Sequence, residues 1–141
     1  MIRLIIIMVG VLGLVVLIFF ALSANTSLEV ACDDFTAQGG NVTKEVEIDR
    51  WSDFLIVSLC SNPTTGFKWE LIEVTDQDVL VYESDEYVAP EDEGVVGAAG
   101  KEVWTFNVLK AGSSNITMEY RRPWEDGEES EWTFALVANV K

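Results

Sequence analysis

Histidine is absent from all 141 residues, which removes the Ser-His-Asp and Cys-His catalytic pairs and every histidine-containing zinc site. Basic side chains are scarce: nine Lys and Arg stand against 24 Asp and Glu, for a net charge of −15. Phosphate backbones demand clustered cations, so nucleic acid is excluded as a partner. Cysteine occurs twice, at Cys32 and Cys60, and without a histidine to activate it Cys60 is excluded as a nucleophile. Proline occurs three times, at Pro63, Pro90 and Pro123. No internal repeat and no low-complexity linker is present.

What is there begins with a hydrophobic segment. Residues 4–22 are 19 uncharged residues, preceded by Arg3 and followed by Glu29, Asp33 and Asp34. At about 1.5 Å per residue, a helix of that length crosses a bilayer core of about 30 Å. The positive-inside bias places the short N-terminus in the cytoplasm and the rest of the chain outside. Residues 1–23 are therefore expected to be a transmembrane anchor or a signal peptide, and 24–141 an exported domain. The segment exceeds the usual signal-peptide core, which favours an uncleaved anchor; cleavage near Ser23 would instead give a secreted protein. Lipid attachment at Cys32 is disfavoured by Glu29, three residues before it.

From residue 28 onward, short runs rich in Val, Ile, Thr and aromatics alternate with Gly, Asp, Asn and Pro clusters, the pattern of strands and turns. Strands are expected at 42–48, 54–60, 67–74, 79–82, 101–109, 115–121 and 131–140, with an eighth near 28–32. Seven or eight short strands with no amphipathic helix predict an all-β, immunoglobulin-like β-sandwich. Alternation turns Trp104, Phe106 and Val108 inward, and likewise Phe67, Trp69, Leu71, Ile116, Met118, Tyr120, Trp132, Phe134, Leu136 and Ala138.

Chain reversal at each strand puts the connections 61–66, about 83–100 and 122–130 at one end, and these hold all three prolines. Proline presets φ and lowers the entropy lost on binding, so this end is a candidate preformed recognition edge; ordinary turn chemistry is the competing explanation. The first connection reads Asn62-Pro63-Thr64-Thr65-Gly66-Phe67. Asn-Pro opens a turn and Gly66 can close it, so two hydroxyls occupy the tip, where they can hydrogen-bond in a narrow cleft without burying a charge. The third contains Arg122-Pro123-Trp124, and Arg with Trp is the pair most enriched at interface hot spots. The second ends in Gly97-Ala98-Ala99-Gly100, small residues suited either to close backbone approach or to a flexible connector.

These motifs, in this order, resemble those of the chagasin family of cysteine-peptidase inhibitors, over residues 28–140. The resemblance implies an immunoglobulin-like fold and reversible, non-covalent occlusion of papain-like peptidases. It implies that the 62–67 loop, with Pro63, Thr64, Thr65 and Gly66 foremost, enters the active-site cleft. Gly97, Ala98, Ala99 and Gly100 would then contact one side and Arg122, Pro123 and Trp124 the other. One departure is visible: the family's second loop usually reads Gly-x-Gly-Gly, and Ala99 stands at the third place.

A disulfide between Cys32 and Cys60 suits an oxidising location, though the resemblance does not call for one. The acidic runs 91–93 and 125–129 match no calcium loop and read as solvated charge. Sequons stand at Asn25, Asn41 and Asn115. The expectation is a monomeric inhibitor of papain-like cysteine peptidases, membrane-anchored or secreted, without enzymatic activity, cofactor or metal. An adhesion or carbohydrate-binding module using the same loop end is the alternative, and a purely structural surface domain comes after it.

Overall fold

A computed structural model describes residues 5–7, 18–20, 24–91, 98–125 and 129–141. Among these residues, ten strands and one helix follow in chain order: β1 (Ile5–Ile7), β2 (Ile18–Phe20), β3 (Thr26–Val30), α1 (Cys32–Ala37), β4 (Asn41–Ile48), β5 (Phe54–Ser61), β6 (Lys68–Val74), β7 (Leu80–Val88), β8 (Gly100–Val108), β9 (Gly112–Arg121) and β10 (Trp132–Val140). A 3-10 turn, Pro63–Thr65, joins β5 to β6.

Eight of the strands form two four-stranded sheets, ordered β4-β10-β9-β6 and β3-β5-β8-β7. This is the expected all-β sandwich. Both sheets are mixed, because β3 runs parallel to β5 and β4 parallel to β10. Alternating side chains of the facing strands build the core, with Leu55, Val57, Leu59, Trp69, Phe106, Ile116, Met118, Phe134 and Leu136 buried between the sheets. Phe67, Leu71, Val108 and Trp132, also expected to face inward, are partly buried and pack against it.

Three elements differ from the sequence expectation. The strand expected at 79–82 continues to Val88. It is the outer strand of its sheet, and beyond Val81 its residues are exposed; the polar run Glu83-Ser84-Asp85-Glu86 carries no apolar alternation, yet pairs with β8 across a register shift at Tyr82/Ser84. Charged residues on such an edge discourage pairing with another chain. Second, a six-residue helix, α1, covers the loop end of the sandwich between β3 and β4. It buries Phe35, which stacks on Trp132 at 4.9 Å and lies 5.2 Å from Trp69. Gly40, at φ +86°, closes the helix by donating its N–H to Phe35 O at 2.8 Å.

Third, the helix expected over residues 4–22 is not what the described parts of that segment form. Ile5–Ile7 and Ile18–Phe20 are short strands paired antiparallel, in keeping with the strand preference of β-branched and aromatic residues. The remainder of 1–23 lies outside the described residues. Among the described residues, no helix is long and apolar enough to cross a membrane.

Candidate functional site

Strand pairing brings the three connections to one end. Ser61 at the end of β5 pairs with Gly100 at the start of β8, and Lys68 at the start of β6 pairs with Arg121 at the end of β9. Asn62, Thr65, Phe67, Ala99 and Arg122 together rim a cavity of about 340 Å³, floored by Cys32, Cys60, Tyr120 and Trp132.

The 62–67 loop is held by its own hydrogen bonds. Thr65 N–H donates to Asn62 O at 3.2 Å, and Gly66 N–H donates to Pro63 O at 3.0 Å. The threonine hydroxyls turn back on Asn62: Thr64 Oγ1 donates to its side-chain oxygen and Thr65 Oγ1 to its carbonyl, both at 2.6 Å. Gly66 ends the turn at φ +83°, where an L side chain is strained. A Cβ there would also lie 2.6 Å from the ring of Trp124, so glycine is required twice over.

That contact shows how the first and third loops are joined. Trp124 is 67% exposed, with one ring edge over Gly66. Arg122 donates from Nε to Thr65 O at 3.3 Å, stacks its guanidinium 4.5 Å above the Phe67 ring, and reaches Glu125 at 3.4 Å. Phe67 in turn stacks on Tyr120 at 5.4 Å. Arg122 is thus engaged within the free protein, while Trp124 offers its surface outward.

Beneath the loop are residues that sequence reasoning did not assign to the site. Tyr120 OH accepts from Asn62 N–H at 2.8 Å, and Trp69 Nε1 donates to Cys60 O at 2.9 Å. Glu102, only 8% exposed, ties both flanks: Ser61 Oγ donates to its Oε1 at 2.8 Å, and Trp69 N–H to both oxygens at 3.3 Å. Burial holds its carboxyl above the usual range, partly countered by these donors and by Lys68, while Asp85 adds to the rise. The signal was present, since Glu102 shares the inward face of β8 with Trp104 and Phe106. Cys60, one residue before Ser61, forms a disulfide with Cys32 at the start of α1.

In the second loop, Gly97 lies outside the described residues, as do 92–96 of the same loop and 126–128 of the third, so the acidic runs are described only in part. Ala98 is half-buried and Ala99 exposed. The close backbone approach falls at Gly100, where a Cβ would come within 2.3 Å of Val88 O.

The model of the family described as Chagasin family peptidase inhibitor I42 matches residues 52–137. Amoebiasin-2 of Entamoeba histolytica is 31% identical over 112 residues, 79% of this chain and 87% of that protein. Chagasin of Trypanosoma cruzi is 32% identical over 89 residues, 59% of this chain and 79% of that one. Among solved structures, the cysteine protease inhibitor EhICP2 of Entamoeba histolytica superposes with a TM-score of 0.59 at 22% identity, covering 83% of this chain and 97% of that one, which supports the fold. With the family match spanning most of the sandwich and all three loops at its one end, the chain belongs to the chagasin family of peptidase inhibitors and is not an enzyme.

Proposed function

We propose that this protein inhibits papain-like cysteine peptidases by reversible, non-covalent occlusion, with the Asn62–Phe67 loop entering the active-site cleft. The observation that carries this reading is the locking of Thr64 and Thr65 on a tip braced by Arg122 and Trp124 before any partner arrives. A preformed tip loses little conformational entropy on docking. Its hydroxyls and backbone carry no charge, so insertion buries no unpaired ion. Ala98, Ala99 and Gly100 flank the tip on one side and Pro123 and Trp124 on the other, and Trp124 has the exposure and residue type of a binding anchor. Gly97 would extend the second flank. A standard interface of about 800 Å² per partner is within reach of three loops. The relatives support the target class: the chain belongs to a family of peptidase inhibitors, and EhICP2 is a cysteine protease inhibitor.

The test is charge insertion. Thr64→Asp and Thr65→Asp should each weaken inhibition of papain at least tenfold while unfolding at the parent's temperature. Inhibition unchanged in both variants would contradict insertion of this loop. No described feature favours the adhesion or carbohydrate-binding alternative.

The same proposal makes the protein a monomer exported across the membrane, with residues 4–22 as its anchor, or secreted after cleavage near Ser23. Supporting this are the 19 uncharged residues and the flanking charge bias. In a bilayer a single such stretch satisfies its backbone only as a helix, whatever pairing it adopts in water.

A further inference from the structure

The end of the sandwich opposite the inhibitory loops carries its own exposed aromatic and aliphatic groups, which neither the core nor the loop edge uses. In the β4–β5 turn, Trp51 is 58% exposed, with the Arg50 guanidinium 4.9 Å above its ring. In the β8–β9 turn, Leu109 is 56% exposed. The two turns meet through Val108 N–H, which donates to Asp53 O at 3.0 Å. The C-terminus joins them where Arg50 N–H donates to Lys141 O at 2.8 Å.

The chain leaves the domain toward its hydrophobic segment at this same end. Thr26, the first residue of β3, pairs with Leu55 near the start of β5, and β3 runs parallel to β5 toward the loops. Four residue steps separate Leu22 from Thr26; at 3.3–3.6 Å each they span at most about 14 Å. If residues 4–22 cross a bilayer, the tether is too short to let this end stand far from it.

We propose that the end bearing Trp51 and Leu109 is a membrane-contact surface, with both side chains entering the outer headgroup layer. This rests on the anchor reading given above. Tryptophan and arginine suit that layer, the ring in the acyl boundary and the guanidinium among phosphates. The charges here are mixed: Arg50, Lys110 and Lys141 stand among Glu47, Asp49, Asp53, Asp76 and Asp78, with Lys110 facing Asp78 at 4.0 Å and Lys141 bonded to Glu47. A mixture with acidic groups in excess fits zwitterionic headgroups and not an anionic surface. The contact would hold the inhibitory loops, one strand length of eight residues away, about 25 Å above the bilayer and facing outward.

The experiment uses the full chain reconstituted into phosphatidylcholine vesicles with brominated acyl chains, which quench tryptophans close to the acyl boundary. None of the five tryptophans lies in residues 1–23, so quenching reports only on the domain. The parent should lose part of its emission. Trp51→Phe should abolish most of that quenching, and Trp124→Phe should leave it intact. A chain that stays with the vesicles through an alkaline carbonate wash but shows no quenching, or quenching that survives Trp51→Phe, would overturn the contact while leaving the anchor standing. A chain stripped by the wash would overturn both. Self-association through this end would appear as loss of the quenching together with a dimer by light scattering, and would likewise overturn the proposal.

Discussion

Trp124 and Gly66 form the contact that joins the first and third loops at the proposed inhibitory edge. Indole packs where a side chain at residue 66 would have to be, so the first loop can take its left-handed exit and the third loop can rest on it. Gly66→Ala should cost about 1 kcal/mol or more of folding stability and weaken inhibition by displacing Trp124. Adding Trp124→Ala should recover the part due to the clash, read as a non-additive double-mutant cycle by urea unfolding. Alone, Trp124→Ala should leave folding nearly unchanged and cost more than about 1 kcal/mol of binding. Glu102 makes a different prediction. A carboxyl whose folded pKa is raised opposes folding at neutral pH, and that penalty is relieved as pH falls through the folded pKa toward the ordinary value. Glu102→Gln keeps an acceptor for Ser61 and Trp69 without the buried charge. The variant should therefore be at least as stable as the parent at pH 7, and its advantage should shrink as the pH is lowered to 4; an advantage constant over that range would show that Glu102 is not the group that titrates. The loop motifs could be read directly from the sequence. The bracing of Arg122 on Thr65 and Phe67 could not, because it joins residues 57 and 55 positions apart through the fold.

At the scale of elements, legibility followed burial. Strands with one face in the core, such as β8 and β10, alternate visibly and were expected within a residue or two. Most of β7 buries nothing after Leu80 and Val81, so Glu83 to Tyr87 read as loop although their backbones pair with β8. Helix α1 is too short for a helical period, and only Phe35 on it is buried. Its function is to close the core beneath the loops, and the Cys32–Cys60 disulfide fastens it to the base of the first loop. Cross-linking residues 28 apart restricts the unfolded chain by about 3.5 kcal/mol. Replacing both cysteines with serine should lower stability by about that amount in urea, while the affinity of the folded protein changes less than in Trp124→Ala. A larger loss of affinity than of stability would assign the disulfide a direct place in the interface.

For the whole molecule, the described core runs from Val30 to Val140 and draws on the sandwich strands together with Phe35 of α1, and all eight strands of the two sheets lie within residues 24–141. The missing histidine, which excluded histidine-dependent catalytic pairs at the outset, is no handicap to a protein that works by shape. The two ends of the sandwich are distinct: the uncharged, internally hydrogen-bonded 62–67 loop lies at one, and the chain runs toward the hydrophobic segment from the other. Obstruction of a papain-like active site by the loop end can be read by titrating residues 24–141 into papain of known active-site concentration. Hydrolysis should be lost at one inhibitor per enzyme and recovered on dilution, with the inhibitor chain intact afterward. Full activity at micromolar inhibitor, in papain and in other papain-like peptidases alike, would contradict it.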